Sequence, residues 1–72
     1  MNIQDSLLIR EKAEECARKI NYYEHLFDLA MSAPDEIIDN KSFWDDLQSA
    51  KDEMNLSVEN FKVFMRNFEP SN

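Results

Sequence analysis

Apolar residues recur along the first thirty positions at alternating intervals of four and three, the spacing that places side chains on one face of an α-helix. The set comprises Ile9, Ala13, Cys16, Ile20, Tyr23, Phe27 and Ala30. Spacing of this kind over three heptads is typical of a helix that packs lengthwise against another helix. The pattern predicts a long first helix over about residues 5–31, with Asn2 or Asp5 as its cap.

The segment after residue 31 predicts the end of this helix and the start of a second one. Pro34 fits the first turn of a helix, and Asp35 with Glu36 complements the helix dipole there. A second helix is expected over about 34–54, and its apolar residues are Phe43, Trp44, Leu47, Ala50 and Met54. A break near residue 40 is the alternative, which would leave a separate short turn over Pro34–Asp39.

A second connection is predicted at residues 55–57, because Asn55 tolerates the left-handed conformation and Ser57 can cap a helix. The third helix then covers about 57–68, and residues 69–72 form a short polar tail. The expected fold is all-α: a small three-helix bundle, or four helices with the short turn, in one domain over 1–72. Its N-terminal helix is long and the other two are shorter.

Composition narrows the class of protein. The chain has no Gly, so it lacks the residue on which phosphate-cradling loops and tight β-hairpins depend. One Cys cannot form an intrachain disulfide, and the longest aliphatic run, Leu7-Leu8-Ile9, is far short of the ~20 residues of a bilayer span. We therefore expect a cytoplasmic protein without a membrane segment.

Two residues were considered as candidates for chemistry. His25 lies on a polar face between Glu24 and Asp28, and Cys16 lies more than two turns from it on another face. Neither has the neighbours that a metal site or an activated nucleophile requires. The sequence predicts no catalytic, cofactor-binding or metal-binding residues, and therefore a protein that is not an enzyme.

Charge favours a protein partner. Fifteen acids against eight bases give a net charge of −7, and residues 34–56 contain seven acids and two bases. Such a surface repels phosphate backbones and attracts basic proteins, so nucleic acid is an unlikely partner. The second helix aligns four acids opposite Leu47, and we expect these to bind the partner: Asp45, Asp46, Asp52 and Glu53.

The first half of the long helix predicts a second contact. Small residues and the sustained heptad spacing favour a seam between molecules, as in a homodimer. This oligomer seam comprises Ile9, Ala13, Cys16 and Ile20.

Residues 50–62 resemble the middle of a helix-turn-helix motif. Ala50 stands for the small residue of its first helix, Asn55 for the turn residue and Leu56-Ser57 for the start of its second helix. The resemblance implies that the second helix enters the major groove of DNA. Its contacting residues would be Glu59, Asn60, Lys62 and Arg66.

These observations favour a non-enzymatic acidic interaction protein that binds and modulates another protein. Small size and acidity are similar to those of inhibitory proteins of phages and mobile elements, which suggests that it occludes a basic, nucleic-acid-binding surface. A helix-turn-helix transcriptional regulator built on residues 42–68 is the alternative.

Overall fold

A computed structural model describes residues 2–70 and contains three helices: α1 (Ile3–Ser32), α2 (Pro34–Ile37) and α3 (Lys41–Asn67). α1 and α3 pack side by side as an antiparallel hairpin, and α2 lies in the connection between them. No strand occurs in the described part of the chain. The predicted all-α class and the long N-terminal helix are confirmed.

Asparagine side chains cap both long helices. The Asn2 side-chain oxygen accepts a hydrogen bond from the Asp5 backbone N–H at 2.9 Å, so Asn2 is the cap of α1. The Asn40 side chain accepts from the Phe43 backbone N–H at 3.0 Å and starts α3. Each bond satisfies one of the backbone donors that have no partner in the first turn. The alternative break near residue 40 is therefore the one that forms.

The connection between the long helices is fixed by backbone and side-chain bonds. α1 ends where the Ala33 N–H donates to the Leu29 carbonyl at 3.1 Å, and Pro34 opens α2. The Trp44 indole Nε1–H donates to the carbonyl oxygen of Ile38 at 3.2 Å. This bond ties the first turn of α3 to the connection.

The predicted turn at residues 55–57 is wrong, because α3 continues without interruption to Asn67. Met54, Ser57 and Phe61 keep the four-and-three spacing, and all three are half-buried. An Asn in a helix interior costs only about 0.5–0.7 kcal/mol, which is less than the packing that a break would sacrifice. The two shorter helices that we expected are one helix of 4 residues and one of 27.

The hairpin is only two helices wide, with dimensions of 56 × 17 × 13 Å. Among the apolar residues described, only Leu26 and Ala50 are buried, with exposed fractions of 9% and 3%. Near the end of α1 the apolar residues have one long neighbour, α3, and Tyr22 and Leu29 stay exposed.

Candidate interaction surfaces

The two long helices meet along a contact seam of buried and half-buried residues spaced by threes and fours. In α1 the contact seam comprises Asp5, Ile9, Cys16, Lys19, Tyr23, Leu26 and Ala30. In α3 it comprises Phe43, Leu47, Ala50, Met54, Ser57, Phe61 and Phe64. The positions on either side of this seam form the two long sides of the hairpin.

One side, here called the polar side, is formed by the residues that precede every second seam position. Its members are Leu8, Glu15, Tyr22 and Leu29 of α1 with Asp46, Glu53 and Asn60 of α3. The Lys19 Nζ lies 3.3 Å from the Glu53 Oε2 across the two helices. A groove of about 170 Å³ on the same side is lined by Lys12, Glu15, Ser57, Asn60, Phe61 and Phe64.

The opposite side, here called the apolar side, is formed by residues that follow seam positions at seven-residue intervals. Its members are Ala13, Ile20 and Phe27 of α1 with Trp44, Lys51, Val58 and Met65 of α3. At 100° per residue in antiparallel helices, these two rows lie on the side opposite to the Lys19–Glu53 pair. Phe27, Trp44 and Met65 are 46%, 41% and 41% exposed.

The predicted oligomer seam is divided between these surfaces. Ile9 and Cys16 are half-buried members of the contact seam, whereas Ala13 is exposed and Ile20 half-buried on the apolar side. The residues that precede Ala13 and Ile20 are both lysines: Lys12 is exposed, and Lys19 is a half-buried member of the contact seam that an apolar pattern does not include. The apolar side of α3 was not predicted from the sequence. Its signal is the spacing of Trp44, Val58 and Met65, which are separated by fourteen and seven residues.

The net charge is confined to one end of the hairpin, here called the closed half, which comprises residues 24–53. Nine acids and two bases lie within it, so the closed half carries all of the −7. Residues 1–23 have four acids and four bases, and residues 54–72 have two of each. All nine acids of the closed half are exposed. The molecule is therefore electrically polarised along its 56 Å length.

The four predicted partner-binding acids do not share one outward face. Asp45 and Asp52 lie on the outer surface of α3, where Asp45 pairs with Lys41 at 3.7 Å and Asp52 accepts from Gln48 at 3.0 Å. Glu53 instead belongs to the polar side, because it pairs with Lys19 of α1. Asp46 has the same register, seven residues earlier, and is exposed. The expectation that all four point away from α1 is wrong for Glu53.

The residues suggested for DNA contact lie on an unbroken helix. Because α3 has no turn at residues 55–57, the helix-turn-helix motif that the resemblance implied is not formed. Glu59, Lys62 and Arg66 lie together on one face of α3, where Arg66 is 3.9 Å from Glu59, whereas Asn60 lines the groove of the polar side. These four side chains do not form one basic surface.

The two residues considered for chemistry lie apart. Cys16 is a half-buried free thiol in the contact seam, and His25 is exposed on α1. Within residues 2–70, no three His, Cys, Asp or Glu side chains are grouped so that they could hold a metal ion. None of the helices in that range has the length and hydropathy to span a membrane.

Comparison with known proteins gave no match to a protein-family model, a curated protein or a solved structure.

Proposed function

We propose that this chain is a non-enzymatic interaction protein whose acidic closed half docks on a basic surface of another protein. The observation that carries the proposal is the placement of the whole net charge of −7 within residues 24–53. A basic surface that ordinarily binds nucleic acid is a fitting target, since a compact group of carboxylates competes with phosphates for the same Lys and Arg side chains.

The arrangement of the acids supports recognition rather than catalysis. Asp45 and Glu53 keep 66% and 59% of their side chains exposed in the ion pairs that they form, and Asp52 is exposed while it accepts a hydrogen bond from Gln48. Exposed ion pairs contribute about 0–1 kcal/mol each, so a partner's cations can replace Lys41 or Gln48 at small cost. Uneven charge on a rod also orients it during approach and raises the association rate, by about 10–1,000-fold in strongly charged pairs.

The experiment compares two variants with the same change of net charge. Asp45→Lys with Asp52→Lys reverses charge in the closed half, and Glu11→Lys with Glu14→Lys reverses it in the balanced half. Both pairs are exposed on helix surfaces. Each protein is immobilised, basic proteins are captured from a cell lysate at low salt, and the bound proteins are identified by mass spectrometry.

We expect capture of a basic protein by the wild-type chain and by the Glu11/Glu14 variant, and its loss from the Asp45/Asp52 variant. Circular dichroism checks that both variants remain helical. The captured protein is then purified, and addition of the wild-type chain should reduce its binding to nucleic acid. Equal capture by both variants would contradict the proposal, because any effect would then depend on overall charge and not on the closed half.

A further inference from the structure

We infer that a second copy of this chain covers the apolar side, giving an antiparallel four-helix bundle of two hairpins. This inference is independent of the proposed function, because the apolar side and the acids of the closed half are different residues. It rests on the register of the helices, the size of the face and the distribution of charge.

The register shows that each helix has apolar residues for two neighbours. A helix with a single helical neighbour needs two apolar positions per heptad, whereas a helix in a bundle has three. In α3 the third position is occupied by Trp44, Val58 and Met65, and in α1 by Ala13, Ile20 and Phe27. Lys51 is the one charged member of the apolar side, and its aliphatic stem can lie along apolar surface while the ammonium group stays in water.

The side of the hairpin that carries the apolar residues is large enough for a dimer interface. The whole hairpin measures 56 by 17 Å, which gives roughly 950 Å² in projection, against about 800 Å² per partner in a standard protein interface. The apolar rows take up about 31 Å of that length, from residue 44 to residue 65 of α3 at 1.5 Å per residue. The hairpin also needs such a partner, since Leu26 and Ala50 are the only buried apolar residues among those described. Two hairpins stacked through this face would bury a four-helix core along their whole length.

The charge distribution selects one of the two symmetric ways to stack the hairpins. If the closed halves lay together, two groups of net charge −7 would face each other. In the opposite orientation, each closed half lies beside the neutral half of the second copy. α1 then packs antiparallel against α1 of the second copy, with Ile20 near the two-fold axis and Ala13 beside Phe27 of the second copy.

Sedimentation equilibrium of the wild-type chain from about 10 µM to about 1 mM tests self-association. We expect a reversible species of twice the 8.5 kDa monomer mass. Met65→Glu on the apolar side and Val63→Glu on the outer surface are a matched pair, with exposed fractions of 41% and 39% on the same helix. Met65→Glu should weaken the dimer at least about tenfold, and Val63→Glu should change it less than about threefold.

A monomer at every concentration would overturn the inference. So would equal weakening by the two variants, because the dimer would then not use the apolar side. If Met65→Glu lost its helical circular dichroism as well, the cross-linking experiment below would still decide between a dimer through this face and no such dimer.

Cross-linking tests the orientation in a Cys16→Ala background that removes the only native thiol. The double variant Ala13→Cys with Phe27→Cys should form a covalent dimer under mild oxidation, because each new thiol lies beside the other one in the second copy. Within one α1, fourteen residues separate these positions by about 21 Å, so an intrachain disulfide cannot form. Each single variant should stay uncross-linked. No covalent dimer from the double variant, or equal cross-linking by Phe27→Cys alone, would overturn the antiparallel arrangement.

Discussion

Individual residues set how closely the two helices approach. Ala50 is the most buried residue among those described, with 3% of its surface exposed, and it lies in the contact seam of α3. A small side chain at such a point lets two helix backbones come close, and a closely packed contact has no room for a larger one. Ser49 is its immediate neighbour and is exposed.

Ala50→Met should therefore destabilise the protein by about 1–3 kcal/mol, because the longer side chain overpacks the contact between α1 and α3. Ser49→Met is the control, and it should change the free energy of unfolding by less than about 0.5 kcal/mol. Urea denaturation followed by circular dichroism measures both. Equal effects of the two substitutions would show that Ala50 does not lie at a tight contact.

Single-residue shifts also explain what the sequence could not predict about the contact seam. Ile9, Cys16, Tyr23 and Ala30 belong to the seam as the four-and-three spacing indicated. Between Tyr23 and Ala30 the spacing fits either Leu26 or Phe27, and both are apolar. Leu26 is the one that is buried, whereas Phe27 is 46% exposed. Lys19 is a half-buried seam residue although it is charged, because its long side chain can lie in the seam while its Nζ reaches Glu53 at 3.3 Å.

At the scale of the elements, local signals located one helix boundary correctly and another incorrectly. Asn40 and Asn55 both resemble helix-boundary residues in the sequence. Asn40 follows the connection and precedes a seam residue by three positions, so its side chain is free to cap α3. Asn55 falls inside an unbroken run of seam residues, and packing against α1 keeps that segment helical.

Replacement of the two asparagines by Ala should have effects of opposite sign. Asn40→Ala removes the hydrogen bond to the Phe43 N–H and should destabilise the protein by about 1 kcal/mol. Asn55→Ala should stabilise it by a few tenths of a kcal/mol, because Ala has the higher helix propensity at an exposed interior position. Thermal unfolding at fixed concentration compares the two. Loss of stability in Asn55→Ala would indicate a turn at residues 55–57 after all.

The ion pair between Lys19 and Glu53 is the one salt bridge described that joins the two long helices. The side chains are 42% and 59% exposed, so water and salt reduce their attraction. A double-mutant cycle with Lys19→Met and Glu53→Gln should give a coupling energy of about 0.2–1 kcal/mol. The coupling should decrease as NaCl is added. A coupling that did not depend on salt would contradict a screened surface pair.

For the whole molecule, the antiparallel return of the chain brings the acids of α1, the connection and α3 to one end. Pattern and composition predict the all-α class, the long first helix and the excess of acid, but the pairing of residues 24–33 with the first half of α3 comes only from the fold. The molecule is polarised for this reason, although along the sequence the acids of the closed half are divided among the end of α1, the connection and the start of α3.

Repulsion within the closed half predicts that salt stabilises the folded protein. Asp45 and Asp52 lie two helical turns apart, roughly 10 Å, and two like charges at that distance repel by about 0.4 kcal/mol in water. Several such repulsions among nine acids and two bases outweigh the interhelical attraction between Lys19 and Glu53.

Raising NaCl from about 10 mM to about 300 mM shortens the screening length from roughly 30 Å to roughly 6 Å, and should raise the Tm by several degrees. Replacement of Asp45, Asp46 and Asp52 by Asn should raise the Tm at low salt and reduce its salt dependence, whereas Glu11→Gln with Glu14→Gln should do neither. A Tm that falls as salt is added would mean that attractive pairs, and not the excess of acid, dominate the electrostatics of the hairpin.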